Sequence, residues 1–168
     1  MLPSVLKNFN VFADGVSWQG EVDEIALPKL TRKLEDWRAG GMSGPIPIDM
    51  GNEKLESEIT LGGFVLDAVK KYAATKHDAV MFRFAGAYQN ETTGGYDAVE
   101  VVYRGRYSEI DWGTAKAGEK STTKVKMTCT YYKLTVNNET IIEIDFVNMI
   151  EIVNGVDLLA AQKTAMGL

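Results

Sequence analysis

The stretch STTKVKMTCTYYKLTVNNETIIEIDF, residues 121–146, shows the pattern that dominates this chain. Two β-rich runs, Ser121–Val136 and Thr140–Phe146, flank the dipeptide Asn137-Asn138, whose residue types favour a tight turn. Within the first run, apolar and polar residues alternate with a period of two, which is typical of a strand with one buried face. The stretch therefore predicts two strands joined by a turn.

The alternation in the first run changes phase once. Apolar side chains occupy one face at Val125, Met127, Cys129 and Tyr131, and the other face at Tyr132, Leu134 and Val136. A shift of one residue in a period-2 pattern indicates a β-bulge, or a strand that leaves one packing partner and joins another. The two explanations are compatible.

The same β-rich pattern continues toward the N-terminus. Strands are predicted at Val80–Tyr88 and Ala98–Ile110, with turns at Asn90–Gly95 and Asp111–Gly118. Residues 55–61 alternate apolar and polar side chains and end at Gly62-Gly63, which predicts another strand with a wet side.

The N-terminal third begins with a predicted hairpin. Asn8–Phe12 and Val16–Val22 flank Ala13-Asp14-Gly15, and an Asp-Gly pair between β-rich runs is a strong hairpin signal. Ile25–Leu34 is expected to continue as strand, with Pro28 at an edge or a break because proline donates no ladder hydrogen bond. Four glycines and two prolines then predict that Arg38–Asn52 is a long loop without regular structure.

Only two segments carry helix signals. Apolar residues recur at helical spacing from Phe64, with charged residues opposite, which predicts a helix over about 64–74. Near the end, the turn at 154–157 presents Asp157 as a possible cap for a short helix from Leu158 to about Ala165.

The predicted fold is mainly β: an antiparallel β-sandwich or barrel with one packed α-helix at about 64–74 and a short C-terminal helix. No linker, repeat or low-complexity tract divides the sequence, and 168 residues are enough for a sizeable core. We therefore expect residues 1–168 to form a single domain.

Composition narrows the functional classes. The net charge of −5 argues against gripping nucleic acid, since affinity for phosphate comes largely from Lys and Arg. Cys129 is the only cysteine, so no intramolecular disulfide can form and nothing indicates an oxidising compartment. Neither a signal peptide nor a membrane span is predicted, so we expect a soluble protein made in the cytoplasm.

No catalytic, cofactor-binding or metal-binding residue is predicted. One histidine, His77, and one cysteine cannot supply an ordinary zinc site or a histidine-based triad, and His77 is expected to be a solvated loop residue. The strand carboxylates are expected on the wet face rather than in an acid-base pair: Glu100, Glu109, Glu143 and Asp145.

Two further features are candidate binding sites. The glycine-rich loop lacks the lysine-hydroxyl ending of a phosphate-binding loop, and we interpret it as a contact surface for partners. Arg104 and Arg106, near several tyrosines, resemble a base-stacking platform, but in an acidic protein we expect them to pair with carboxylates.

A series of short strings resembles the major tail tube proteins of contractile-tailed phages and R-type pyocins. Their order and spacing run from the first hairpin to the last residue. The strings are Leu27-Pro28-Lys29-Leu30, Trp37-Arg38-Ala39-Gly40-Gly41-Met42, Asp49-Met50-Gly51, Arg104-Gly105-Arg106, Lys116-Ala117-Gly118-Glu119, Tyr131-Tyr132-Lys133-Leu134, Asn148-Met149-Ile150 and Gly167-Leu168.

The resemblance implies a structural subunit, not an enzyme, that forms hexameric rings stacked into the inner tube of a contractile tail or tail-like particle. It implies contacts with copies of the chain, with a sheath outside, and with baseplate and terminator proteins at the ends. DNA would pass through the lumen without specific binding, or the tube would puncture a membrane. No cofactor and no lipid anchor are expected. Assembly would take place in the bacterial cytoplasm.

If the chain is such a tube subunit, we expect the first part of the strand Lys124–Val136 to lie in the subunit core and the second part to lie where neighbouring subunits meet. The alternative is a bulge wholly inside the monomer. Two other functions stay open: the tube of a secretion or toxin-injection apparatus, and a β-sandwich that binds a small ligand or carbohydrate. The second requires a pocket lined by aromatic and polar side chains, which the sequence does not localise.

Overall fold

A computed structural model describes residues 1–168 and contains twelve β-strands and two short helices. Their bounds are β1 Ser4–Ala13, β2 Val16–Ser17, β3 Val22–Ala26, β4 Arg32–Trp37, β5 Ile46–Asn52, β6 Leu55–Leu61, α1 Leu66–Val69, β7 Val80–Asn90, β8 Tyr96–Asp111, β9 Thr123–Val136, β10 Glu139–Asp145, β11 Ile150–Val153, β12 Val156–Asp157 and α2 Ala160–Ala165. Neither helix is long and apolar enough to cross a membrane.

Ten strands form one antiparallel sheet, and β4 and β5 form a separate two-stranded ribbon. The large sheet has the order β12-β11-β10-β9-β8-β7-β1-β2, while β6 pairs with β9 and β3 pairs with β6. The mainly β, antiparallel class is confirmed, and the sheet does not close into a barrel. The long strands predicted from period-2 alternation all occur, as β6, β7, β8, β9 and β10.

The core lies on one face of the large sheet. Alternate residues of the central strands are buried there, including Phe82 and Phe84 of β7 and Tyr103 of β8. Trp18 closes the core from the loop between β2 and β3: its ring packs edge-on against Phe82 with the ring centroids 5.2 Å apart, and its Nε1 donates to Asp67 at 3.0 Å. This hydrogen bond satisfies the indole N–H as it enters the core and ties the loop to α1.

Strand β9 contains both features indicated by its change of phase. Tyr131 pairs with Arg104 and Cys129 pairs with Gly105, so Thr130 is an extra residue with no partner on β8. On its other side, β9 pairs with β6 up to Cys129 and with β10 from Tyr131. The strand therefore bulges and changes neighbour at the same residue.

Gly105 is required at this bulge because the backbones approach closely. A Cβ at position 105 would lie 1.9 Å from the carbonyl oxygen of Thr128, far inside van der Waals contact. Only glycine therefore fits opposite the extra residue.

The helix predicted at 64–74 is present but shorter, as α1 covers only Leu66–Val69. Of its predicted apolar face, Val65 and Ala68 are buried, whereas Phe64 and Tyr72 are exposed. From Lys71 the backbone N–H groups bond to carbonyls three residues back instead of four, and Ala73 takes a left-handed conformation with φ 61°. Because only one turn of this segment is buried, tertiary packing stabilises only that turn as a helix.

Two predictions for the N-terminal third are corrected. Ile25–Leu34 is not one strand: β3 ends at Ala26, Pro28 is buried in the connection, and β4 begins at Arg32. The supposed loop Arg38–Asn52 is irregular only in its first half, because Ile46–Asn52 forms β5 against β4. Pro47 is tolerated because a two-stranded ribbon consists of edge strands.

The C-terminal part gains a hairpin that was not predicted. β11 and β12 flank the Asn154-Gly155 turn, where both residues have positive φ. The short C-terminal helix is present as Ala160–Ala165, two residues later than expected. Asp157 accepts a hydrogen bond from the Leu159 backbone N–H at 3.0 Å, just ahead of the helix.

Candidate assembly surfaces

Of the side chains considered for catalysis, His77 and Asp145 line one depression of about 210 Å³ together with Arg104, whereas Glu100 and Glu109 form separate ion pairs elsewhere. His77 is exposed, and its Nδ1 lies 3.0 Å from the Thr130 hydroxyl at the bulge. Glu100 and Glu109 lie on the wet face, 3.7 Å from the Arg83 guanidinium and 3.4 Å from the Lys126 ammonium. No group of three or more His, Cys, Asp or Glu side chains is arranged to hold a metal ion.

The expectation that Arg104 and Arg106 pair with carboxylates was wrong. The Arg104 guanidinium lies over the Tyr131 ring, 4.6 Å from its centroid, and Arg106 donates to the Thr75 carbonyl at 3.4 Å. Neither forms an ion pair. The bulge determines this, because it sets Tyr131 directly opposite Arg104 on the wet face.

The depression around Lys29 does not have the lining that the ligand-binding alternative requires. This depression of about 360 Å³ is lined by Lys, Glu, Ser and Thr side chains around Lys29, Glu58 and Lys126, and by no aromatic ring. Such a surface lacks the apolar and aromatic walls of ordinary small-ligand sites.

The most exposed feature is the ribbon of β4 and β5, residues Arg32–Asn52, which we call the arm. From residue 32 to residue 50 only Met42 and Gly44 are half-buried, and every other residue is exposed. The arm therefore stands away from the body. This corrects the loop predicted here, although the expectation of a contact surface at this position still stands as a prediction.

One face of the arm carries four large apolar side chains beside the ion pair of Lys33 and Glu35. Trp37 pairs directly with Ile46, and Ile48 and Met50 follow at alternate positions of β5, so the four side chains share a face. We call them the apolar strip. Each is between 42% and 55% exposed, which is unusual for a set of large neighbouring apolar residues.

The base of the arm is held by a charged network. Arg32 donates to both carboxylate oxygens of Asp49, at 2.9 and 3.0 Å, and also to Glu151 on β11. Asn52 donates to the same Glu151 oxygen at 3.3 Å. The hydrogen bond from Arg32 is the largest cause that lowers the pKa of Asp49, and the hydrogen bond from the Gly51 N–H is the second. The ion pair therefore stabilises the arm at neutral pH, and this stabilisation is lost as pH falls below the ordinary carboxyl range.

We expect Arg32→Ala to loosen the arm while leaving the body folded. It removes the charged partner of Glu151, whose side chain is only 10% exposed, and should lower the free energy of unfolding by about 1–2 kcal/mol, a value reduced by the exposure of Arg32. Urea unfolding and hydrogen exchange over residues 32–52 measure both effects. Lys33→Ala is the matched control, because its 3.7 Å pair with Glu35 is exposed. Equal rates of hydrogen exchange over residues 32–52 in Arg32→Ala and Lys33→Ala would show that Arg32 does not hold the base of the arm.

The large sheet leaves strand edges without partners. β2 covers β1 only at Phe12 and Ala13, so Ser4–Asn10 presents an open edge. At the other end of the sheet, β12 is two residues long and covers only part of β11. Open edges of this kind are templates for pairing with another chain.

A second apolar surface lies at the end of β6. The rings of Phe64 and Trp112 stack with centroids 6.1 Å apart, although they are 69% and 50% exposed. Tyr72 and Trp112 also line a depression of about 390 Å³. We call Phe64, Tyr72 and Trp112 the aromatic patch.

Sequence reasoning missed the arm, its clamp and the aromatic patch. A signal for the strip was present, since Ile46, Ile48 and Met50 alternate in β fashion. The prolines and glycines around these three residues indicated a loop more strongly than the alternation indicated a strand. No sequence signal joins Arg32 to Glu151, because 119 positions separate them.

Comparison with known proteins follows the whole length of the chain. The family described as phage tail tube protein FII matches residues 3–167. The tail tube protein of Escherichia phage P2 is 49% identical over 170 residues, covering 99% of both chains. The major tail tube protein of Serratia phage KSP20 is 35% identical, covering 89% of this chain and 86% of its own.

Solved structures with the same fold have much lower sequence identity. A sheath/tube terminator of the extracellular contractile injection system PVC has a TM-score of 0.60 at 8% identity, covering 80% of this chain and 98% of its own. The tube-terminating cap of the anti-feeding prophage has a TM-score of 0.59 at 9% identity, covering 80% and 92%. At these identities the likeness shows the fold alone. The family match and the two phage relatives show that this chain belongs to the phage tail tube protein FII family, whose members are structural proteins and not enzymes.

Proposed function

We propose that the chain forms rings of six that stack head to tail into the hollow inner tube of a contractile phage tail, through which DNA passes. The number six and the passage of DNA rest on the resemblance to contractile tail tubes. The proposal includes a sheath outside the tube, baseplate and terminator proteins at its ends, and assembly in the bacterial cytoplasm. Proteins named as sheath, terminator and baseplate components occur in the injection systems that share this fold.

The observation that carries the proposal is that one subunit has both open sheet edges and an exposed arm. Edge strands at both ends of the sheet support a side-by-side contact that closes into a ring and continues the sheet across subunits. The arm supplies a second, different contact that repeats along the axis. A subunit that builds a tube needs both, because one interface pair alone produces either a ring or a filament.

Assembly is the direct test. Purified protein should form six-membered rings and smooth stacked tubes, visible in negative-stain images and as fast-sedimenting species whose amount rises with concentration. Monomers or closed dimers at every concentration would contradict the proposal.

We further expect the lumen wall to be neutral to negative, because lysines and arginines facing DNA would attract phosphate and slow its passage. The charges on the wet face of the sheet support this expectation: Arg83 lies near Glu100, and Lys124 lies 3.9 Å from Glu58. Acid-bearing strands should therefore face inward. A structure of the assembled tube with a lumen dominated by lysine and arginine would overturn this expectation.

The tube of a toxin-injection apparatus is the second candidate. Its support is the fold shared with the PVC and anti-feeding prophage components. The phage tail is favoured because the P2 tail tube protein matches this chain end to end at 49% identity. Gene neighbourhood distinguishes the two, since a phage tail gene lies among capsid and terminase genes and a toxin-injection gene does not.

A further inference from the structure

The two exposed apolar surfaces lie at opposite ends of one strand. The arm joins the start of β6 at Leu55, and Phe64 follows its end at Leu61. Seven strand residues separate these ends by roughly 20 Å. Because the strip and the patch are both exposed, neither covers the other within a chain. A copy displaced along β6 would bring its patch toward the arm of its neighbour.

Charge complements this arrangement. Arg38 follows Trp37 at the tip of the arm, and Asp111 precedes Trp112 beside the patch. Neither forms an ion pair within the chain, and Asp111 makes only a turn hydrogen bond to the Gly113 N–H, at 2.9 Å. The arm carries an unpaired anion, Asp36, before Trp37 and an unpaired cation, Arg38, after it, so the complementary contact brings Arg38 to Asp111 beside the rings and keeps Asp36 away from it. This favours one orientation of the contact.

The size of the strip suits a repeated contact rather than a single one. Four half-exposed large apolar side chains offer roughly 400 Å², about half of the ~800 Å² that each partner contributes to a stable interface. One arm would therefore bind weakly. Several arms of one ring acting together would bind much more tightly, because each engagement after the first is intramolecular.

On these grounds, and resting on the proposed tube, we infer that the arm of one subunit docks on the aromatic patch of a subunit in the next ring. The apolar strip packs on Phe64 and Trp112, and Arg38 lies near Asp111. The occupant of the patch is a second copy of this chain. Free subunits leave both surfaces uncovered, and ring formation precedes stacking.

Cross-linking in assembled tubes tests this contact. A chain carrying Glu35→Cys, opposite Ile48 on the arm, and Gly63→Cys, next to Phe64, keeps the strip and the patch intact, and with a short bismaleimide it should yield a ladder of covalent oligomers on a denaturing gel. The native Cys129 stays silent, because it is buried and burial raises the pKa of its thiol to about 12. The control pairs Glu35→Cys with Thr93→Cys, an exposed turn residue at the other end of β8 from Trp112, and should remain monomeric on the gel.

A pair of patch variants gives an independent readout. Trp112→Ser should shorten tubes at least tenfold while rings persist, and Trp112→Phe should assemble normally, because it keeps the aromatic surface. Trp112 is exposed, so neither change affects folding, which circular dichroism checks. A ladder from the control pair, no ladder from the pair at Glu35 and Gly63, or normal tubes from Trp112→Ser would overturn the inference. In the last case the patch would be free to face the sheath. Absence of tubes from the unmodified chain would instead overturn the proposed function.

Discussion

Gly105→Ala should prevent the chain from reaching its native fold. The added Cβ would lie 1.9 Å from the Thr128 carbonyl oxygen, 2.7 Å from its carbonyl carbon and 2.8 Å from the Cys129 Cα, all of them backbone atoms. A side-chain clash relaxes by a change of rotamer, whereas this clash requires β8 and β9 to separate at the centre of the sheet. We expect a loss above about 3 kcal/mol, a large share of the 5–15 kcal/mol that stabilises an ordinary domain.

Gly63→Ala is the matched control for this variant. A Cβ at position 63 meets nothing within 4 Å, and the residue does not have a positive φ. Its free energy of unfolding should stay within about 0.5 kcal/mol of the parent value. Soluble yield and urea unfolding followed by circular dichroism compare the two variants. Equal stability would show that the bulge at Thr130 relaxes more easily than its geometry indicates.

Met127→Ser and Leu134→Ser should separate the two halves of β9. Met127 is 1% exposed, and replacing it with serine leaves a cavity and a buried hydroxyl, at a cost of about 3–5 kcal/mol that should unfold the monomer. Leu134 is only partly buried, where it packs against the edge of the core. Its loss should cost about 1–2 kcal/mol and leave a folded monomer that does not polymerise.

Thermal melts of both variants beside a tube-formation assay measure the difference. The result would place the second half of β9, which pairs with β10, at the contacts between subunits. Equal loss of monomer stability in Met127→Ser and Leu134→Ser would indicate that the bulge serves only the interior of the monomer. The structure shows the bulge and the change of strand partner, and this experiment tests their role in assembly.

The sequence alone determined the fold class and most of the long strands. Period-2 alternation is a local property, and burial of one strand face enforces it residue by residue, so β6 to β10 could be predicted within a few residues. The Asp-Gly hairpin was also local, and Asp14 and Gly15 take the positive φ values that such a turn requires. The change of phase predicted between Tyr131 and Tyr132 indicated a bulge or a change of partner close to where both occur, because an extra residue shifts the alternation wherever one strand face is buried. The extra residue is Thr130, so Tyr131 lies on the face opposite to the one predicted.

Tertiary structure decided the features that local pattern does not encode. The arm buries almost nothing within the subunit, so the short alternation of Ile46, Ile48 and Met50 had no burial behind it, and the surrounding glycines and prolines indicated a loop. Helix α1 ends after one turn, because only Val65 and Ala68 of this segment are buried in the core. The Arg104 guanidinium packs over the Tyr131 ring and does not pair with a carboxylate, because the bulge sets which residues of β8 and β9 lie opposite each other. The Arg32–Glu151 clamp joins residues that are neighbours only after folding, and Gly105 is required by a backbone approach that exists only once β8 lies against β9.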